Sequence, residues 1–431
     1  MSLRPTRLHS IALAATLVLP LWLLHARAFA DLFIVLTDLL FLAACAGTAD
    51  WRWLRRPWLV IALLWWGWEV ICSIPGFGSS GPAGLVQALV LVRLILFAAA
   101  LEQFVLSDAR ARHFAWVALA LSCLWIGLES WQQILTGRNL FGDHRWPDGS
   151  LTGPFWRPRA GAPYAHLLFP ALLPALAWLI GRKQPLWRIS LFLLVVGMAT
   201  VILIGQRMPT LLALLGLAVA ALFLRQLRGA ALGALALGAV LIAATPLVSP
   251  PTYHKLVIHF AQQMDHFAAS PYGELYTSAH AMIMQSPWHG YGFNGFRDLC
   301  PQPQFRTGIP ALNIPPTALA LGACNIHPHN FYLQAATDSG LPGLALFTAL
   351  NAAWLLALGR GLWRNPAPLR VGLFIGVLTY AWPLASTDSF ATLPMAGWLF
   401  MMAGLGLAAS GSAEPERLYH DPPLQSDASH G

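Results

Sequence analysis

A chain of 431 residues that is 57% hydrophobic and only 10% charged, with a mean hydropathy of +0.59, falls outside the ordinary soluble class. Soluble proteins carry charge on about a quarter of their residues. A formal net charge of +8 would suit a nucleic-acid binder, but the arginines are scattered through short connections between apolar runs. Basic patches interleaved with aromatics are missing, so nucleic acid is excluded as a partner, and topology and anionic membrane lipids account for the charge.

Apolar runs of roughly 20 residues, the length that crosses a bilayer, recur along almost the whole chain. They predict an all-α polytopic membrane protein of about twelve transmembrane helices, and the 19 tryptophans suit aromatic belts at both interfaces. The first run, with Arg4 and Arg7 before it and Ala28-Phe29-Ala30 after it, has the outline of a cleavable leader. An uncleaved first helix is the favoured reading. In chain order the predicted helices are 8–25, 28–47, 57–74, 84–104, 113–135, 163–181, 187–204, 208–224, 229–249, 331–358, 369–386 and 390–410.

Loop charge sets the expected orientation. With the N-terminus cytoplasmic, the inside connections hold Arg52/Arg55/Arg56, Arg110/Arg112, Arg182/Lys183/Arg188, Arg225/Arg228 and Arg360/Arg364/Arg370. Outside turns such as Pro75–Ala83 and Thr387–Ser389 hold no basic residue. Both termini are therefore expected in the cytoplasm. The connection 136–162 breaks the pattern by placing Arg138, Arg145, Arg157 and Arg159 outside. A phosphate-bearing ligand is one reason to keep arginine there, because its fork makes bidentate, permanently charged contacts with phosphate; a solvated loop is the alternative. Helices 1–249 thus carry an Arg-rich outer loop, followed by an outer subdomain at 250–328, helices at 329–410 and a tail at 411–431 of disorder-type composition.

Within 250–328, Tyr253–Phe267 and Glu274–Gln285 read as amphipathic helices lying along the membrane surface, and 301–326 is Pro-rich and loop-like. Cys300 and Cys324 both fall in this outer segment and are expected to pair, whereas Cys45, Cys72 and Cys123 read as packing residues in helices. The histidines His254, His259, His266, His280, His289, His327 and His329 do not form a ligand-spaced set with Cys or carboxylates, so no metal or cofactor is expected. Asp38, Glu69, Arg93, Glu102 and Glu129 sit inside predicted helices, where charge is costly. An ion pair between Glu69 and Arg93 is the first reading, with a proton or substrate path as the alternative.

Three segments on the outer side carry candidate chemistry. Gly205-Gln206-Arg207-Met208-Pro209 is a tight turn with an arginine at the interface, either a phosphate ligand or a snorkelling anchor. Ser286 to Arg297 (SPWHGYGFNGFR) is glycine-rich but follows no strand, which excludes a dinucleotide fingerprint. His327-Pro328-His329-Asn330 precedes a membrane helix, whose free N–H groups favour an anion, and the sequence continues to Gly340-Leu341-Pro342-Gly343. His329 is placed to move a proton, or else to cap the helix.

Together these segments resemble the O-antigen ligase and polymerase superfamily of bacterial envelope glycosyltransferases. His329-Asn330, nine residues and then Gly340-Leu341-Pro342-Gly343 looks like the ligase signature, with Leu344 where the signature continues with Thr. Pro287 to Phe296 fits the family's Pro-x-x-Gly-x-Gly-x-x-x-Phe segment, while Gln206-Arg207 matches its Ser-Arg-Gly turn only at the arginine. The family's arginine near Tyr272 is absent. The resemblance implies an inner-membrane enzyme with a periplasmic active site. It would transfer O-antigen polysaccharide from undecaprenyl diphosphate to lipid A–core without nucleotide sugar or metal. It assigns proton abstraction to His329 and the diphosphate to Arg207, supported by Arg157, Arg159, Arg145 and Arg297. Asn330 is placed beside the substrate, and Asp388, in the last outer turn, orients His329 or binds the acceptor. A polymerase on the same fold would differ only in its acceptor, a protein O-glycosyltransferase would use a pilin-like one, and a transporter or flippase is the rival of a different class.

Overall fold

In the computed structural model the described residues are 7–77, 81–182, 186–316, 324, 327–385 and 389–411. Twelve apolar helices form the bundle. In chain order the first six are α1 (Arg7–His25), α2 (Arg27–Thr48), α3 (Pro57–Cys72), α4 (Gly81–Val105), α5 (Ala109–Thr136) and α6 (Gly161–Ile180). Next come α7 (Trp187–Ile204), α8 (Arg207–Phe223) and α9 (Arg228–Val248). Two helices of the long connection, α10 (His259–Asp265) and α11 (Pro271–Gln285), precede α12 (Phe331–Gly359), α13 (Pro368–Ala381) and α14 (Met395–Gly411). Eight of the bundle helices are long and apolar enough to cross a membrane, and α3, α8, α13 and α14 are shorter apolar helices. The chain is an all-α polytopic membrane protein; among the described residues β-structure is limited to two isolated bridges.

Helix α14 is apolar on every side, the pattern of an element enclosed by others. Met395 through Ala409 are all buried, and Phe400 packs edge to face on Trp354 of α12. Helices α6 and α13 approach closely because Gly372 and Gly376 leave room for the α6 backbone at Phe169 and Pro170. Across that contact His166 shares a 2.8 Å hydrogen bond with Thr379 and stacks on Tyr380.

Several expectations need correction. The Arg93 guanidinium pairs with Asp31 of α2 at 2.6 Å, not with Glu69. Glu102 accepts from Trp58 and faces Arg56, and Glu129 accepts the Leu140 N–H. Helix α13 stops at Ala381 and α14 begins only at Met395, because the Pro383 and Pro394 turns interrupt the apolar run. The predicted helix over 253–267 is a rod of three contiguous pieces, Pro250–Tyr253, His254–Ile258 and α10. Arg4, Lys183, the tail from 412 and most of 317–326 lie outside the described residues.

The connections at one end of the bundle touch one another. Leu151 donates its N–H to Ile204, Gln206 reaches Pro158, Arg207 reaches Lys255, Phe293 donates to Ser73, and Asn330 reaches Pro383. The connections after α3, α5, α7, α9 and α13 therefore share one face. The long connection has its own small core of Leu275, Ala279, Ala281, Met282, Phe296, Cys300 and Phe305. Cys300 and Cys324 are disulfide-bonded there, with Cα atoms 5.7 Å apart. Alkylation of denatured protein without reductant should label the three cysteines Cys45, Cys72 and Cys123, and all five only after reduction. Five labelled thiols before reduction, counted by mass spectrometry, would rule the pairing out.

Candidate functional site

The turn between α7 and α8 is built by its sequence. Gly205 closes α7 at φ 78°, Gln206 is extended, and Arg207 opens α8 two residues before Pro209. This places the guanidinium at the rim of the bundle, against the rod that follows α9. Its Nε donates to the Lys255 carbonyl at 2.8 Å, Nη1 donates to Gln263, and Cζ sits 5.6 Å from the centre of the Phe260 ring. These partners are neutral. The Lys255 ammonium instead pairs with Asp148 at 2.5 Å and touches Ser150, both in the connection after α5. Partial burial pushes the Asp148 carboxyl up, but Lys255 and the Ser150 N–H outweigh it and hold the group below its usual range.

The other arginines of that connection lie beside this cluster. Arg145 reaches Ser249 at 3.1 Å, and burial lowers its proton affinity. Arg157 stacks on Trp156 at 4.1 Å. Arg157 and Arg159 are both exposed and flank Pro158, whose carbonyl accepts the Gln206 amide at 2.5 Å, next to Arg207.

Helix α12 begins on the same face. Asn330 is its cap, with Oδ1 accepting the N–H groups of Tyr332 at 2.9 Å and Leu333 at 3.1 Å. Its Nδ2 donates to the Pro383 carbonyl at 2.6 Å. Asn330 thus takes up two of the N–H groups at this helix end, those of Tyr332 and Leu333. His329, one residue earlier, has φ +53°, an uncommon backbone for a non-glycine residue. Its N–H donates to His327 Nδ1 at 3.1 Å, and the two imidazoles lie 4.5 Å apart, edge to face.

Tyr272, at the start of α11, connects the two halves of the site. Its ring packs edge to face on His329 at 5.7 Å, and its hydroxyl lies within electrostatic reach of Arg207. Tyr276, one turn along the same helix face, interacts with Asn330, and burial pushes its phenol up. The sequence had singled out Tyr272 only as a place where a cation was missing. The Tyr272/Tyr276 pair at i,i+4 was the available signal. Lys255, Asp148 and Gln263 had none, since their role depends on how the rod folds back.

The glycine-rich segment does something different from what a ligand loop would do. Helix α12 is broken at Ser339 (φ −134°) and Gly340 (φ 69°). Tyr291 and Gly292 donate their N–H groups to Thr337 and Asp338 at 2.8 Å each, and Leu341 donates to Pro287 at 2.7 Å. Gly290 and Gly340 lie where each backbone meets the other segment, and a Cβ on either would strike main chain. The segment is a splint for the broken helix. Arg297 is exposed, and its N–H donates to the Asn294 carbonyl at 3.0 Å. Asp388 lies outside the described residues. Among the described residues no group of three or more His, Cys, Asp and Glu could hold a metal ion.

Residues 189–348, from α7 through the splint to the first half of α12 and beyond its break, match the family model described as O-antigen ligase. No curated protein matches the chain.

The splint predicts a specific sensitivity. Gly340→Ala puts a Cβ against the Trp288 backbone at a positive φ, and should destabilise the protein by about 2 kcal/mol or more, read as a lower thermal midpoint in detergent. Gly361→Ala, also at positive φ but with open space around it, should lose clearly less. Equal losses would show that the backbone contact is not what matters.

Proposed function

We propose that this chain, which belongs to the O-antigen ligase and polymerase superfamily, is a membrane glycosyltransferase that completes lipopolysaccharide. Its donor is O-antigen polysaccharide on undecaprenyl diphosphate and its acceptor is a sugar of lipid A–core. The face bearing Arg207 and His329 is assigned to the periplasmic side of the inner membrane, because the opposite connections hold Arg52, Arg55, Arg56, Arg110, Arg112, Arg225 and Arg228.

One observation carries the reading. Tyr272 packs its ring on the His329 imidazole and is near enough to Arg207 to interact with it electrostatically, which supports a general base and an anion ligand sharing one outward rim. In the reaction the acceptor hydroxyl attacks the anomeric carbon of the donor sugar. The bond from that carbon to the diphosphate oxygen breaks as the new glycosidic bond forms. His329 takes the hydroxyl proton, and Arg207 stabilises the charge that develops on the diphosphate. Arg207 reaches the diphosphate by exchanging the neutral carbonyl of Lys255 and amide of Gln263 for phosphate oxygens, which bind it more strongly. Arg157, Arg159 and Arg145 line the approach and add electrostatic attraction. Asn330 acts by fixing the helix start behind His329. Arg297 is not assigned to the diphosphate.

Purified protein with lipid-linked glycan and rough lipopolysaccharide tests the assignment. His329→Ala should lower turnover by about 100- to 10,000-fold without unfolding the protein. Arg207→Lys should lose about 100-fold or more, because a point charge does not reproduce the fork. Normal turnover by either variant would remove its assigned role. Elongation of lipid-linked glycan without transfer to lipid A–core would identify a polymerase instead.

A further inference from the structure

Away from the rim, the break in α12 opens onto a small, partly open cavity of about 20 Å³, room for one water-sized guest. Its walls include Trp65, Phe331, Phe347 and Phe390, and Glu69 of α3 and Asp338 of α12 border it. Glu69 is 2% and Asp338 3% exposed. Both Glu69 oxygens and Asp338 Oδ1 lack a hydrogen-bond partner among the described residues. Gln334 donates to the other Asp338 oxygen at 3.3 Å and to Ser389 at 3.1 Å. Among the described residues no lysine, arginine or histidine lines the cavity. The remaining neighbours are Cys72 near Glu69, Ser339, and the Asn294 backbone beside Asp338, none of which supplies a countercharge. Arg93, the basic residue that sequence reasoning had offered to Glu69, belongs to Asp31.

Two buried carboxyl groups at one apolar cavity are costly unless something positive lies near them, and ionisable groups inside a membrane bundle normally have a partner. We propose that this cavity is a binding site for one monovalent cation, held between Glu69 and Asp338 with Gln334 at its edge. The guest is an alkali ion or a proton, which share the chemistry of a single positive charge. It bridges α3 to the short first half of α12. The site is separate from the transfer reaction proposed above and stands or falls without it.

Thermal unfolding of the purified full-length protein, in choline, sodium or potassium chloride at pH 6 and pH 8.5, distinguishes the sources. An alkali guest raises the midpoint by about 3–6 °C in sodium or potassium over choline at pH 8.5. A proton gives a similar rise on moving from pH 8.5 to pH 6 in choline, with no response to the salt. Either response should be lost in both Glu69→Gln and Asp338→Asn, which are nearly isosteric and remove charge. A wild-type midpoint indifferent to both salt and pH overturns the proposal, as do variants that keep the wild-type response. If the single variants do not purify, carbodiimide labelling of wild-type Glu69 and Asp338, read by mass spectrometry, decides. Suppression by sodium or by high pH supports the site, and labelling indifferent to both overturns it.

Discussion

A membrane helix that stops after two turns leaves carbonyls in a place where hydrocarbon offers them nothing. In this protein that constraint falls at Ser339 and Gly340, and the Thr337 and Asp338 carbonyls are met by the N–H groups of Tyr291 and Gly292. The need for main chain to meet main chain explains the glycines at 290 and 340 together, since a side chain on Gly290 would strike the Thr337 and Asp338 main chain and one on Gly340 that of Trp288 and His289. It also explains why the long connection dips back to the bundle instead of remaining a separate lobe. Once splinted, the first half of α12 is a short rigid piece, pinned at its start by Asn330 on Pro383. His329 is carried on that piece.

The electrostatics at the rim follow a division of labour. Asp148, the carboxylate nearest the basic cluster, is taken up by Lys255 and Ser150, and the partners that grip Arg207 are a carbonyl and an amide. A guanidinium paired with a carboxylate would have to give up a charge-assisted bond before meeting an anion; one held by neutral acceptors gives up much less. Phe260 beneath its plane and Tyr272 beside it complete the setting. This arrangement favours the assignment of Arg207 to an anionic leaving group over a simple interfacial anchor.

The helices were legible because bilayer thickness imposes a length and an apolarity that hydropathy reads directly, so that α1, α7 and α12 fall within a residue or two of their expected bounds. Misplaced ends occur at prolines: Pro383 and Pro394 sit in apolar surroundings, and hydropathy alone does not see the missing N–H. Arg207 and His329 were legible as polar residues at turn and helix-start positions. Tyr272 and Lys255 were not, because one is an aromatic on an amphipathic helix and the other a basic residue on a rod, and only folding brings them to the rim. The Glu69–Arg93 pairing failed for a related reason. Asp31 lies near the beginning of α2, and it competes successfully for Arg93.

The region matching the O-antigen ligase family holds the arginine turn, the splint and the histidine, but not the connection that supplies Asp148 and Pro158 to them. The rim is therefore a composite: an inner part built by one stretch of chain, and an outer, arginine-bearing part laid over it. Asp338 lies nine residues after His329, about 10 Å along the helix axis from the start of α12 at Phe331. A change of charge at the buried carboxyl pair acts on the same piece that carries the histidine, and the splint, bonded directly to Asp338, is the part of the fold that would have to give for the two to move independently.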